Sequence, residues 1–125
     1  MKGSIIWYVA IGVPAVVLLS GFGQKDVSYS KDVQPILQER CAECHLNGGQ
    51  GHEASGFLIE SYDSLMQGTQ FGPVVVPGDS ISSSLYRLVA GEVHRSIRMP
   101  HRKEPVGDRE LAKIERWIEQ GAQNN

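Results

Sequence analysis

Apolar residues fall along this chain in two regimes. At residues 5–19 every position is apolar, glycine or proline, and admitting Ser20 and Gly21 extends the run to residues 5–22. Beyond Gln24 the apolar positions recur at intervals of three and four, the spacing that lines one face of a helix. The first run, as a helix rising ~1.5 Å per residue, spans roughly 27 Å against a hydrocarbon core of roughly 30 Å. It has no polar face to meet water, which argues against a buried core helix. Lys2 and the amino terminus give the positive flank that leaves the start inside and sends everything after Phe22 across the membrane. Trp7 and Tyr8 lie near one end, where an interfacial belt would sit. Gly21 and Gly23 form only a poor small-residue cleavage site. The expectation is an uncleaved membrane anchor over residues 1–23, with a removed signal peptide as the alternative, and an exported domain over residues 24–125.

Within that domain, Val33, Ile36, Leu37 and Arg40 recur at i, i+3, i+4 and i+7, with Ser30 or Asp32 placed as a cap. This predicts a helix running into Cys41. Asn47, Gly48, Gly49, Gln50 and Gly51 predict a flexible loop between Leu46 and Gly56. A short helix is expected over residues 61–67. Residues 72–78, with a proline near each end, read as an extended segment without room for a sheet. Asp79 or Ser80 would cap a helix carrying Leu85, Leu88 and Val89 and ending near Gly91. Asp108 would cap a last helix whose stripe of Leu111, Ile114, Trp117 and Ile118 stops at Gly121. The fold class is all-α, with about four short helices after the N-terminal hydrophobic one and no internal repeat.

Composition sharpens this picture. A chain of 125 residues allows one domain and little more, and 41% apolar with 21% charged residues excludes a disordered tail. Twelve Lys and Arg against 14 Asp and Glu leave no global basic field, which argues against a nucleic-acid partner. Only 7% of residues are aromatic and 14 are glycine, so the apolar core is thin. A large buried cofactor would make up the deficit.

The two cysteines point to which cofactor. Cys41-Ala42-Glu43-Cys44-His45 has the C-x-x-C-H spacing of c-type haem attachment. One helical turn between the thiols lets both add to vinyl groups along one porphyrin edge, and the adjacent imidazole then meets the iron. A structural zinc site would need two further ligands, yet there is no other cysteine and His52, His94 and His101 do not fall at finger spacing. A thioredoxin-like dithiol wants a strand before the motif, where a helix is expected here. An inert thiol pair would tend to oxidise outside the membrane.

The exported part resembles a monohaem class I type cytochrome c domain, and more closely the cytochrome c domains common in planctomycetes and related bacteria. The resemblance rests on residues 33–37 before the Cys41 to His45 motif, then 62–66, 73–79 and 84–87. It continues with Met99-Pro100, Ile114, Trp117-Ile118 and Gly121-Ala122, so that it covers roughly residues 29–122. It implies a small fold of short helices around one covalent haem c, held between the first and last helices by Cys41 and Cys44, with His45 and Met99 as the iron ligands. The last helix would cross the first at Val33 and Leu37. Met99 also stands out on its own terms, as a thioether followed by a direction-fixing proline in a polar segment. His94, His101 or His52 are the alternative ligands, and an open site is a third state. His/Met ligation saturates the iron and favours electron transfer over oxygen or peroxide chemistry.

Around Met99, Arg95, Arg98, Arg102 and Lys103 occur with no acid among them. They read either as a basic rim that orients an acidic redox partner or as a solvated loop with one arginine on a haem propionate. Arg87 is a second propionate candidate. Val74, Val75, Val76, Leu85 and Leu88 are expected as crevice walls, Met66 as gap-filling core, and Trp117 as a folding residue rather than an electron relay. The expected function is non-enzymatic electron transfer at the periplasmic or outer face of a bacterial membrane, or in the periplasm if the leader is cleaved. The alternatives are a haem-bearing subunit of a larger membrane oxidoreductase and a haem sensor or peroxidase.

Overall fold

The computed structural model describes residues 25–125; the expected anchor or signal over residues 1–23 lies outside them. Among the described residues the architecture is helical, without strands, and no helix is long and apolar enough to cross a membrane. The all-α expectation holds.

Ser28 opens the first helical stretch. Its Oγ accepts the Lys31 N–H, and the Asp32 carboxylate accepts the Ser28 N–H, satisfying donors that a helix start leaves free. The stretch begins as a wide π-helical turn, Tyr29–Val33, and continues into α1, Gln34–His45. The extra turn moves the cap two residues ahead of the expected Ser30, while Asp32 acts from inside the turn. Pro35 sits in the first turn of α1, where the ladder passes from π to α spacing. Val33, Ile36 and Leu37 are buried, as their spacing predicts.

The expected loop after His45 contains a helix, α2, Gln50–Ser55. It is closed at Gly56, whose φ of 75° is the left-handed conformation that favours glycine at a helix end. Then come α3, Tyr62–Gln67, α4, Ser84–Ala90, a single 3-10 turn, Arg95–Ile97, and α5, Asp108–Glu119. Ser61 and Ser64 cap α3 reciprocally. Two further caps differ from expectation. Helix α4 starts at Ser83, because Asp79 and Ser80 belong to the preceding turn. Helix α5 starts at Gly107, whose N–H is accepted by the Glu110 carboxylate, so Asp108 is already inside the first turn.

The buried stripe of α5, Ile114, Trp117 and Ile118, packs mainly on the π-helical turn and on α4. Tyr29 packs at 5.2 Å from Tyr62 and 5.5 Å from Trp117, ring centre to ring centre. The Tyr62 hydroxyl donates to Ala122 O at 2.7 Å and the Trp117 indole to Gln123 O at 2.9 Å. Met66 packs against this core. The chain entering at Val27 is fastened to the far end of α5: Val27 N–H donates to Gln120 Oε1, and the Tyr29 and Ser30 N–H groups donate to Asn125. Ion pairs Asp32–Lys113 and Arg40–Glu110 tie α5 to the first helical stretch. The extended segment forms no sheet, only the isolated Thr69/Gly72 and Val76/Asp79 bridges.

Candidate functional site

Cys41, Cys44 and His45 occupy the last turn and a half of α1. At helical spacing, positions i, i+3 and i+4 share a face, so two thiols and an imidazole are presented together. All three line one crevice of about 350 Å³, which Met99 lines as well. Its apolar lining includes Phe57, Val74, Leu85, Leu88 and Val89. Three of those come from α4, whose Met99-side end is fixed by a hydrogen bond from Met99 N–H to Leu88 O at 3.1 Å.

His45 is oriented from behind. Its Nδ1 lies 3.3 Å from the Phe57 carbonyl oxygen. A carbonyl only accepts, so Nδ1 carries the proton and Nε2 keeps a free lone pair, the tautomer a metal ligand needs. Burial pulls the imidazole pKa below its ordinary 6.5, with His52 adding to this and the Phe57 carbonyl opposing it. The ring therefore stays neutral near pH 7. Gly49 and Gly51 are required by close approach rather than by freedom. A Cβ at residue 49 would sit 2.5 Å from Cys44 O, and one at residue 51 would sit 2.5 Å from the His45 ring.

The Cys41 thiol is mostly buried, and burial followed by the neighbouring Cys44 pushes its pKa up to about 11. A thiol redox centre needs the reverse, a thiol readily ionised. Among the described residues no three His, Cys, Asp or Glu side chains converge as metal ligands. Of the alternative histidines, His101 lines the crevice, while His52 and His94 do not; His94 instead caps the 3-10 turn.

The methionine loop is held on two sides. Lys103 pairs with Glu43 beside the cysteines, and Arg98 donates to Gly91 O at 3.3 Å. Arg95, Arg98, Arg102 and Lys103 are all exposed and, with His101, surround a shallow depression next to the crevice. Arg87 points away from the crevice on the exposed side of α4; the arginine on the crevice wall is Arg40. Among the three valines only Val74 reaches the crevice, Val75 being core and Val76 exposed. Helix α5 contributes no wall either, because its apolar stripe is occupied by the Tyr29, Tyr62 and Trp117 cluster. Trp117 accordingly sits in the core and not at the crevice. Phe57 and the glycine contacts escape sequence reading, since the groups that act are backbone.

A helical domain with two free thiols, a tautomer-fixed imidazole and a thioether around one apolar crevice is of the c-type cytochrome class. Residues 41–102 match the family described as Planctomycete cytochrome C, and the chain carries a cytochrome c domain of planctomycete type. Comparison with curated proteins and with solved structures gives no match. The family implies covalent haem c and haem-based electron transfer. The residues present fit that group: two unpaired thiols, a neutral imidazole and an apolar wall are the donor set and surroundings it requires.

Proposed function

We propose that the chain is an exported, membrane-tethered electron carrier. In this reading Cys41 and Cys44 hold haem c covalently, His45 and Met99 are its two iron ligands, and residues 5–22 form the tether. The observation that carries the ligand set is the meeting of Cys41, Cys44, His45 and Met99 on one crevice. When bound, the haem supplies one-electron oxidation and reduction at iron. The chain's residues do the rest. Phe57 O fixes the imidazole, the Met99 N–H bond to Leu88 O holds the thioether loop, and Val74, Leu85 and Leu88 keep water out, which favours a higher potential. The exposed basic rim suits docking of an acidic redox partner, whose orientation it would set.

The oxidised visible spectrum tests the ligands. The wild type should have a weak far-red sulfur-to-iron band that Met99→Ala removes; a wild type lacking the band overturns the Met99 assignment. A mass measurement on the same sample reads whether residues 1–23 remain, as tethering requires. Replacing Arg95 and Arg102 with Gln should slow electron transfer to the partner and flatten its dependence on ionic strength. An unchanged rate and salt slope would remove the docking role.

A further inference from the structure

One face of the domain lies next to the point where the chain joins the apolar residues 5–22. Val27 N–H bonds to Gln120 Oε1, Ser80 N–H to Glu119 Oε1, and Gly78 N–H to Ile118 O, each at 2.8 Å. Three consecutive residues at the end of α5 thus hold the entering chain and the 76–83 turn side by side. That turn is rigid. Ser83, fully buried, accepts the Val76 N–H and donates to Asp79 O, and Asp79 in turn accepts the Ser82 N–H. From this braced tip Ile81 projects with 74% of its surface exposed, and Val76 with 39%. A side chain so apolar at a turn so fixed is not exposed through looseness. The nearby carboxylates keep their charge but direct it at the turn's own N–H groups, Glu119 at Ser80 and Asp79 at Ser82.

We propose that the Val76 and Ile81 turn rests in the lipid surface and fixes the orientation of the domain on the membrane. This depends on the proposed tether, residues 5–22, which only four residues separate from Val27 at that pole. The far end of α5 is joined by Glu110 to Arg40 on the crevice wall. Twelve residues of helix at ~1.5 Å rise make α5 a strut of about 18 Å. The crevice runs from Val74 and Leu85, beside the turn, to Arg40 at the far end of α5, so the contact would turn its Arg40 end toward the aqueous side and whatever partner approaches from there.

The test uses the full chain, loaded with haem, on preformed phosphatidylcholine vesicles. Ile81→Cys and Ile97→Cys are made separately, and alkylation by a charged, membrane-impermeant maleimide is timed. Ile97 belongs to the methionine loop and is 53% exposed, so without lipid contact residue 81 should react at least as fast as residue 97. On vesicles residue 81 should react about tenfold slower, the scale of protection expected from burying one aliphatic side chain. Equal or faster alkylation at 81 on a chain that floats with the vesicles overturns the lipid contact and leaves the tether standing. A chain that does not float with vesicles overturns both.

Discussion

Gly51 lies against the imidazole of His45 so closely that a methyl group in place of its hydrogen would sit 2.5 Å from Cε1 and 2.8 Å from Nδ1. The ring is held between that backbone and the Phe57 carbonyl. Gly51→Ala is expected to lower stability by about 1–3 kcal/mol, as overpacking does, and to shift the reduction potential of the haem-loaded protein. Urea unfolding and a redox titration check both; an unaltered potential would mean the ring can yield without moving Nε2.

The Tyr62 hydroxyl ties α3 to the chain after α5 through Ala122 O. Ala122 is fully buried. Tyr62→Phe leaves that carbonyl without its partner, and should cost about 1–3 kcal/mol, read as a lower urea midpoint at unchanged slope. Because the bond is remote from the crevice, the visible spectrum of the loaded protein should not change.

Ser83 stands at the cap of α4, yet its hydroxyl turns back to Val76 and Asp79 instead of capping the helix. Ser83→Ala should therefore destabilise by about 1–3 kcal/mol through an orphaned Val76 N–H, and protease cleavage should increase within the 76–83 turn. Loss of stability without new cleavage there would place the damage in the helix.

Acid should loosen the ties between α5 and the first helical stretch. Burial pulls the Glu110 carboxyl up, but the Gly107 N–H and the Arg40 guanidinium outweigh it and hold it below its ordinary 4.5. Lys113 and the Ser28 N–H hold Asp32 below its ordinary 3.8. Both groups ionise more readily folded than unfolded, so their contribution is complete above the ordinary values and is lost as pH falls through the lowered ones. Stability measured by urea should begin to fall below about pH 4.5, and the double variant Asp32→Asn, Glu110→Gln should fall less steeply. Parallel curves for the two proteins would assign the acid sensitivity to other carboxylates.

The elements with a clear apolar stripe were legible in the sequence: α1 through Val33, Ile36 and Leu37, and α5 through Ile114, Trp117 and Ile118. So was the grouping of Cys41, Cys44 and His45, which rests on their spacing, while Met99, which lines the same crevice, stood out through the family resemblance and as a thioether before a proline. Helix α2 was not. Its glycines argue for a loop when weighed by propensity, but here they admit the backbone against Cys44 and His45, and tertiary contact overrides propensity. Phe57 acts through its carbonyl, which every residue has, so no side-chain pattern announces it. Assigning crevice walls to Val75 and Val76 failed because three like residues in a row do not reveal which way each faces.

The fastening of Val27, Tyr29 and Ser30 to Gln120 and Asn125 joins positions 93 to 98 apart in the chain. Closing a loop of that size costs about 4 kcal/mol in chain entropy, against about 2 kcal/mol for the 12 positions between His45 and the Phe57 carbonyl. The order of assembly follows from that difference. The imidazole is expected to meet its carbonyl support before the two ends of the domain clasp, so the Cys41 to His45 turn takes its shape while the back of the molecule is still open.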